Sequence, residues 1–388
     1  MPDRPHSTAP TRARRARVLM LLDSLDAHVG GGERFAAGLA THLPADRVQV
    51  SFCATRGIDE HWSRILSDAG VPHFSLGRRG ATDVLAFRRL GGYLRGQGIE
   101  ILHGHKFGSN VWATVVGRLA GVPIVVGHEQ TWSYEGDPVR RFLDGQLIGR
   151  FADRFVAVSS ADRERMIALE GVPRAKTVLE LNGFVPRPRV GGDGSDLRSE
   201  LGLPADAPIV GTVCMLRRQK ALHVLLDAFA QVHAVRPDAH LVIGGDGECR
   251  DELEAQARSL GLNGSAHFLG LREDVDAILP AFTVAAMSSD YEGTPLFAFE
   301  CMAAGVPLVA TNVGGLPDML EDGTSALLVP RRDPGALAGA LRTLLDDPRL
   351  RATQAEAAHA RLDRYTMDAV AGRFADLYDE LLVEKGLR

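Results

Sequence analysis

Cysteine is scarce in this sequence, and no long hydrophobic run occurs in it. Its four cysteines are scattered through 388 residues without a Cys-x-x-Cys pair, which indicates neither a disulfide framework nor a zinc site. We interpret them as small apolar residues. No stretch of eighteen uncharged apolar residues is present, and residues 1–17 lack the apolar core of a signal peptide. We therefore expect a cytoplasmic protein without a membrane span, with a disordered basic arm over residues 1–17.

Complete phosphate-loop and cofactor motifs are also missing. The segment Gly30-Gly31-Gly32-Glu33-Arg34 is not followed by Gly-Lys-Ser/Thr and does not complete a dinucleotide fingerprint. Nothing in the chain is typical of a pyridoxal phosphate site. What remains is a glycine-rich loop whose backbone amides can approach a ligand closely, opening a helix that we predict to begin near Arg34. An ordinary turn is the alternative.

Length and composition favour two domains. A chain of 388 residues with 45% hydrophobic content can bury two ordinary cores. Its charge is uneven, because residues 1–187 carry 25 Lys+Arg against 19 Asp+Glu, whereas residues 188–388 carry 19 against 30. The basic half could face an anionic acceptor or the inner membrane surface, and ordinary surface charge explains it equally well. We expect no nucleic-acid partner.

Short apolar runs alternate with helical patterns along the whole chain. This alternation is typical of parallel sheets wrapped by helices. We predict strands at 18–22, 48–52, 99–102, 123–126, 155–158 and 178–181, then at 209–213, 240–243, 267–269, 284–287 and 307–311.

A Pro/Gly/Asp-rich stretch over 186–196 reads as a linker between the two series of strands. The predicted fold is therefore α/β, with two Rossmann-like doubly wound domains over 18–187 and 188–364 that face each other across a cleft, where ligands of such sheets bind. Residues 365–388 have apolar residues at helical spacing and are predicted to form a last helix.

Two acids eight positions apart, Glu292 and Glu300, are the most informative feature. They flank Gly293-Thr294-Pro295, which predicts an N-cap at Thr294 and a helix beginning at Pro295. The amino-terminal end of a helix binds phosphate, and an acid further along it can accept hydrogen bonds from ribose hydroxyls. The pair predicts a sugar-nucleotide site, with a solvated helix start as the alternative.

This segment resembles the Glu-x7-Glu signature of retaining glycosyltransferases with the GT-B fold, specifically family 4. The segment after Glu300, with a helix stop at Gly305 and the run Val313-Gly-Gly-Leu-Pro-Asp318, is similar to the family's pattern, although Asp318 stands where the family more often has Glu. The resemblance runs from about Ile209 to the C-terminus. It implies that the first domain binds the acceptor, that the second binds the donor, and that the last helix, over 365–388, crosses back onto the first domain. It implies a catalytic role for Glu292 and a donor-binding set made of Gly293, Thr294, Pro295, Leu296, Phe297 and Glu300, with Gly31 and Gly32 in the first half.

A basic segment completes the implied donor site. Met215-Leu-Arg217-Arg218-Gln-Lys220 resembles the family's Arg-Leu-x-x-x-Lys-Gly run, in which two cations hold the donor diphosphate. Lys220 matches directly, whereas Met215 replaces the family's arginine, so Arg217 or Arg218 would supply the second charge. A cation fixed at the leaving group stabilises the transition state more than the ground state. A basic loop at a helix start is the alternative.

Three further positions are less specific. By analogy His128, after a predicted strand, would face the transferred sugar, with a structural histidine as the alternative and His103 and His105 as competitors. Arg272 follows another strand and by analogy would lie near the base. We interpret Asp274-Val-Asp276 as a helix start and not as a metal motif, because acids favour that end of the helix dipole. No metal or other cofactor is expected.

The resemblance, together with these features, implies a metal-independent, retaining hexosyltransferase-type enzyme. It would move a sugar from a UDP- or GDP-sugar to a hydroxyl of a glycan, glycolipid or small-molecule acceptor, in cell-surface polysaccharide or glycolipid synthesis. No second, nucleophilic carboxylate is evident, which favours same-face attack over a covalent intermediate. A nucleotide-sugar 2-epimerase and a non-catalytic sugar-binding protein are the alternatives.

Overall fold

The structure, a computed structural model, describes residues 14–26, 30–80, 83–130, 137–185 and 194–388. Most of the predicted basic arm, residues 131–136 and most of the predicted linker fall outside these ranges. Among the described residues, no helix combines the length and the apolar character that a bilayer crossing requires.

Two sheets organise the described part of the chain. Their strands are β1 (Ala16–Leu22), β2 (Val48–Ala54), β3 (His73–Ser75), β4 (Ile101–His105), β5 (Ile124–His128), β6 (Arg154–Ala157), β7 (Thr177–Leu179), β8 (Ile209–Val213), β9 (His240–Gly244), β10 (Ala266–Gly270), β11 (Val284–Met287), β12 (Leu308–Thr311) and β13 (Leu327–Val329). The first sheet has the strand order β3-β2-β1-β4-β5-β6-β7, and the second has the order β10-β9-β8-β11-β12-β13. Central strands such as β1 are buried on both faces, as strands of a parallel sheet covered by helices must be.

Helices connect successive strands. They are α1 (Gly31–His42), α2 (Glu60–Asp68), α3 (Val84–Gly96), α4 (Phe107–Ala120), α5 (Pro138–Phe142), α6 (Gly149–Phe151), α7 (Ser160–Ala168), α8 (Ser195–Glu200), α9 (Leu222–His233), α10 (Arg250–Ser259), α11 (Val275–Ile278), α12 (Leu296–Ala304), α13 (Leu316–Met319), α14 (Pro334–Asp346), α15 (Pro348–His359) and α16 (Met367–Glu384), with a π-helical turn at Leu143–Ile148. Side-chain caps begin several of them. Asp59, Asp83, Ser159, Asp333 and Asp347 each accept a hydrogen bond from a first-turn amide of the helix that follows.

The chain divides into two compact units. The first unit comprises Met1–His128, Leu143–Phe155 and Val370–Arg388, and the second comprises Glu129–Phe142 and Val156–Ala369. In the first unit Phe35, Phe52 and Phe374 are buried to 1% exposure or less. In the second unit, two buried clusters pack around β8 to β13, one of them against α9 and α14. The predicted domain boundary near residue 187 stays a prediction, since 186–193 are not described.

The predicted strands all exist; those at 209–213 and 284–287 have the predicted bounds, and the others have shifted ends. The strand predicted at 99–102 runs instead over Ile101–His105, and the strand predicted at 123–126 extends to His128. Helix α1 begins at Gly31, so the predicted start near Arg34 is wrong by three residues. The prediction does not include β3 and β13, which have three residues each and are not fully buried, although it includes the equally short β7.

Candidate functional site

In the second unit, the predicted acidic loop follows β11 at its carboxyl end. Ser288 and Ser289 continue this all-buried strand and are each 1% exposed. The Thr311 hydroxyl, at the end of neighbouring β12, donates to the Ser289 carbonyl oxygen over 2.7 Å. The loop that leads to Glu292 is therefore fixed by the sheet itself, as ligand-binding loops of parallel sheets are.

Lys220 and Glu292 form a buried ion pair. Lys220 Nζ lies 2.6 Å from Glu292 Oε1, and the Glu292 side chain is 5% exposed. Burial alone would lower the pKa of Lys220, but the Glu292 carboxylate outweighs it and raises that pKa above its usual value. The lysine is thus held as a cation beside a carboxylate. Lys220 and Glu292, both predicted site residues, are therefore in direct contact.

Backbone contacts hold these two loops together. Lys220 ends a 3-10 turn after β8, and the next residue, Ala221, adopts a positive φ of 45°. The Asp290 amide donates to the Gln219 carbonyl, and Gln219 Nε2 donates to the Tyr291 carbonyl, each over 2.9 Å. The Ser288 hydroxyl donates to the Lys220 carbonyl over 2.9 Å. The separation of cation and carboxylate is consequently set by main-chain geometry.

The predicted N-cap at Thr294 is wrong by one residue. Pro295 occupies the cap position of α12 and makes no side-chain cap, and the helix begins at Leu296. The Thr294 hydroxyl instead donates to the Val158 carbonyl over 2.7 Å and accepts from the Asn182 amide over 3.2 Å. Because these distant partners use both functions of the hydroxyl, Thr294 fixes the loop rather than capping the helix.

Glycines permit unusually close backbone contacts here. A Cβ on Gly293 would lie 2.3 Å from the Gln130 carbonyl oxygen, and one on Gly314 would lie 1.9 Å from the Glu292 carbonyl oxygen. Gly314 also has a φ of +56°, which disfavours other residues. The Gly315 amide donates to the Gly293 carbonyl over 2.8 Å. The Glu292-Gly293 backbone is therefore enclosed by the turn that follows β12.

Glu300 lies in the middle of α12 and is half-buried. Leu296 and Phe297 form the first turn of that helix, and Phe297 is 7% exposed within the apolar cluster beneath it. The helix ends at Gly305, whose φ of 70° gives the left-handed cap that the sequence indicated. Glu300 thus stands one turn inside a helix that the Glu292 loop introduces.

The remaining basic candidates differ in their surroundings. Arg217 is exposed just before the 3-10 turn, and Arg218 is exposed and lies 3.4 Å from Glu252. Arg272 is engaged by two acids, since its guanidinium donates to both carboxylate oxygens of Asp274, over 2.7 and 2.6 Å, and to Glu200. Only Lys220 among these cations is directly paired with a predicted catalytic acid.

Asp318 and Asn182 are two polar residues whose roles emerge from the geometry. Asp318 Oδ2 accepts from the Ser160 amide over 2.7 Å, at the beginning of α7. Asn182 Nδ2 donates to Gln130 Oε1 over 3.0 Å, next to the Gly293 contact. Sequence reasoning did not identify Asn182 or Gln130, because neither lies in a recognisable motif.

In the first unit, His103, His105 and His128 form one fully buried cluster. His103 and His105 are two positions apart on β4, so their side chains lie on the same face of the sheet. The pairing of β4 with β5 places His105 beside His128. The ring centroids of His103 and His105 lie 4.3 Å apart, and those of His105 and His128 lie 5.1 Å apart. Phe35 and Phe374 pack against the His128 ring. The three histidines that are alternative candidates for the sugar contact therefore touch one another.

Hydrogen bonds orient the cluster only in part. His103 Nδ1 lies 2.7 Å from the Tyr378 hydroxyl, and Asn110 bonds both the amide and the carbonyl of His128. Among the described residues, neither ring nitrogen of His128 has a hydrogen-bond partner. Burial lowers the pKa of His105 to about 3 and lowers the pKa values of His103 and His128 well below 6.5. The three imidazoles are therefore neutral at pH 7.

These histidines are also the described group that comes nearest to a metal-binding arrangement. Their candidate ligand atoms lie within 4.8 Å of one another. Tetrahedral zinc, with Zn–N bonds of about 2.0–2.1 Å, would require nitrogens roughly 3.4 Å apart. The rings instead pack on one another, with His103 and His128 inclined by only 9°. The cluster is better described as packed neutral rings than as a metal centre.

Gly31 and Gly32 form the first turn of α1, and Gly30 caps it without a side-chain hydrogen bond. Glu33 in the same turn forms an ion pair with Lys106, which begins α4 with a φ of 68°. A positive φ is unfavourable for a lysine. The glycine-rich turn is thus joined through side chains to the carboxyl end of β4.

Comparisons with known proteins agree with these features. A model of glycosyl transferases group 1 matches residues 194–361, and a model of glycosyltransferase family 4 matches residues 29–185. The D-inositol 3-phosphate glycosyltransferase of Corynebacterium urealyticum is 31% identical over 327 residues, which cover 77% of this chain and 74% of that protein. The same-named protein of Corynebacterium kroppenstedtii is 32% identical over 255 residues, or 63% of this chain, and the match spans little more than half of its length, 56%.

A solved structure extends the comparison to nearly the whole fold. Alr3699/HepE from Anabaena, crystallised in complex with UDP-glucose, has a TM-score of 0.78 at 25% identity, covering 94% of this chain and 99% of that one. The prediction of two doubly wound parallel sheets is confirmed. The chain therefore belongs to glycosyltransferase family 4, the glycosyl transferases group 1, with a fold of the GT-B type.

Proposed function

We propose that this protein is a retaining glycosyltransferase that moves a sugar from a nucleoside diphosphate sugar to an acceptor hydroxyl. One observation carries the proposal. Lys220 and Glu292 form a buried ion pair at the carboxyl end of the second sheet, directly before the helix that carries Glu300. Family membership supports the reaction class, because this arrangement lies on the segment that matches the group 1 model.

Lys220 would stabilise the leaving diphosphate. An ammonium group has three donors, and only one is used on Glu292. Cleavage of a sugar–diphosphate bond builds negative charge on the leaving group, so a cation already fixed there stabilises the transition state without reorganisation. Arg217, which is exposed nearby in sequence, would supply the second charge.

Glu292 would orient the transferred sugar, and Glu300 would bind the ribose. The two acids differ in setting, since Glu292 is 5% exposed and Glu300 is half-buried on α12. A carboxylate can accept two hydroxyl hydrogen bonds from a ribose, as acids do in other nucleotide sites. Gly293 to Phe297 would line the diphosphate end of the same site, with Arg272 nearer the base.

In the first unit, His128 and the Gly31-Gly32 turn would serve the sugar and the acceptor. The neutral His128 ring is 0% exposed, and its two nitrogens have no partner among the described residues, so a sugar hydroxyl would reach them only after the packing around the ring opens. A neutral imidazole can either donate to or accept from a sugar hydroxyl. This role stays a proposal that rests on the family resemblance.

We propose UDP-glucose or another UDP-sugar as the donor, because the similar HepE structure was solved with UDP-glucose. The acceptor would be a hydroxyl of a glycan, a glycolipid or a small phosphorylated polyol. Two similar proteins are named D-inositol 3-phosphate glycosyltransferases, which supports an anionic small-molecule acceptor as one member of that class. Synthesis of cell-surface polysaccharide or glycolipid, with peripheral contact at the inner membrane surface, is the proposed context.

Binding and product analysis test this proposal. Isothermal titration with UDP and GDP should show binding of one nucleotide, and Glu300→Ala should weaken it by about 10- to 100-fold, since hydrogen bonds to a charged group contribute about 1.5–3 kcal/mol. Glu356→Ala, on the exposed face of α15, is the matched control. Unchanged affinity in Glu300→Ala would refute the ribose assignment.

The reaction itself is followed by NMR with UDP-glucose and an acceptor panel. The expected result is an α-linked product together with slow donor hydrolysis. A sugar nucleotide altered at C2 without any acceptor would indicate an epimerase instead. Binding without turnover across the panel would indicate a sugar-binding protein.

A further inference from the structure

The two oxygens of the Glu292 carboxylate have unequal surroundings. Lys220 Nζ and the Ser289 hydroxyl both donate to Oε1, each over 2.6 Å. No described residue donates a hydrogen bond to Oε2, and Oε2 is not among the fully enclosed polar atoms that lack a partner. One oxygen is thus held by the protein, and the other remains available to a ligand.

Ser289 is built into the structure for this contact. It is 1% exposed, and its carbonyl accepts from the Thr311 hydroxyl. A hydroxyl has one proton to donate, and here that proton goes to the carboxylate rather than to a nearby backbone carbonyl. The donor at Glu292 Oε1 is therefore placed by two strands, β11 and β12.

We infer that Ser289 is a positioning residue that, together with Lys220, holds Glu292 Oε1 so that Oε2 accepts a hydroxyl of the transferred sugar. This inference rests on the proposed function and adds a residue to it. With Lys220 alone, the carboxylate could turn about its terminal bond and exchange its two oxygens on the ammonium group. A second donor from another direction removes that freedom, and fixed orientation of a reacting group is a large source of rate enhancement.

Replacing Ser289 should affect turnover and donor binding differently. Ser289 does not contribute charge, so its loss leaves the Lys220 cation and its attraction for diphosphate in place. Its loss should instead reduce the fraction of molecules in which Oε2 meets the sugar. We therefore expect an effect on kcat and little effect on donor binding.

Ser289→Ala tests the inference in the full-length protein with UDP-glucose as the probe. Its kcat for donor hydrolysis or transfer should fall by about 10- to 100-fold, the factor expected for one hydrogen bond to a charged group. The donor KM and the affinity for UDP should stay within about twofold of wild type. Ser265→Ala is the matched control, because Ser265 is also buried in the second unit and donates only to the Leu262 carbonyl.

A double variant distinguishes positioning from general damage. If Ser289 acts through Glu292, adding Ser289→Ala to Glu292→Gln should lower kcat no further. Should Ser289→Ala not fold, Ser289→Cys keeps a weaker donor of similar size, and its kcat should also fall without loss of UDP affinity.

Three results would overturn the inference while the proposed function stands. They are a Ser289→Ala variant as active as Ser265→Ala, a loss confined to KM or UDP affinity, and a further loss of kcat in the Glu292→Gln background. If the wild-type protein turns over no donor at all, the proposed function fails and the inference fails with it.

Discussion

Acidification should destabilise the first unit through its buried histidines. His105 is 0% exposed, and burial lowers its pKa from 6.5 to about 3. The unfolded chain, whose histidines titrate near 6.5, takes up a proton that the folded protein refuses. The stability contributed by His105 is therefore fully present above pH 6.5 and is lost progressively as the pH falls from 6.5 toward about 3. At pH 5.5 the loss is about 1.4 kcal/mol.

His105→Leu isolates this quantity. Leucine is apolar and of similar size, so the variant lacks the titrating group while keeping the packing against Met20 and Phe35. Between pH 7.5 and pH 5.5 the wild-type protein should lose about 1.4 kcal/mol more unfolding free energy than the variant. His103 and His128 remain in both proteins, and burial lowers their pKa values as well, with His105 only a smaller cause, so most of the difference reports His105.

Urea unfolding at the two pH values measures the effect. Two of the three tryptophans, Trp62 and Trp112, belong to the first unit, so tryptophan fluorescence is weighted toward that unit, and circular dichroism follows the whole chain. His61→Gln is the control, because His61 is exposed in the same unit. Equal pH slopes for wild type and His105→Leu would show that the imidazole is hydrated or charged in the folded protein, and the reasoning would be refuted.

Three further outcomes follow from the second unit. Gly314→Ala should lower the free energy of unfolding by about 3 kcal/mol or more, because its Cβ would lie 1.9 Å from the Glu292 carbonyl oxygen. Gly339→Ala, with open space around the added methyl group on α14, should raise that free energy by about 0.5–1 kcal/mol. Equal effects of the two substitutions in thermal or urea unfolding would contradict this. Burial raises the pKa of Glu129 to about 7. When the pH rises from 5 to 8, wild type should therefore lose about 2.5 kcal/mol more unfolding free energy than Glu129→Gln. An equal pH dependence of urea unfolding in the two proteins would refute this expectation. Turnover should persist in EDTA, because Arg272 already engages both oxygens of Asp274; inactivation that Mn²⁺ reverses would argue for a metal there.

The sequence was most informative where burial and periodicity act locally. Apolar runs bounded by glycine and proline located eleven strands, since a strand covered on both faces must be apolar along its length. The three-residue strands β3 and β13 are missing from the prediction, although the equally short β7 is part of it. The ends of the elements also differ from the prediction. Because β5 extends through Gly127 to His128, that histidine is a buried residue of the strand, paired with His105, and does not follow the strand as predicted.

The candidate site was harder to predict, because its contacts join distant parts of the chain. Thr294 matched a capping pattern, yet its hydroxyl is used by Val158 and Asn182, each more than a hundred residues away. Local propensity gives no information on such partners. Ser289 is an exception, because it stands three positions before Glu292 in the same turn. A hydroxyl at that spacing can donate to the carboxylate, so this contact is visible in the local sequence.

The division of the first unit into three stretches of chain has a consequence for biosynthesis. Its core is closed by α16, whose Phe374 packs on the His128 ring and whose Tyr378 bonds His103. Those residues are translated after the whole second unit, so the earlier part of the first unit stays incomplete while the nearly continuous second unit can already fold. Chaperone dependence and sensitivity to premature termination should accordingly concentrate in the amino-terminal half.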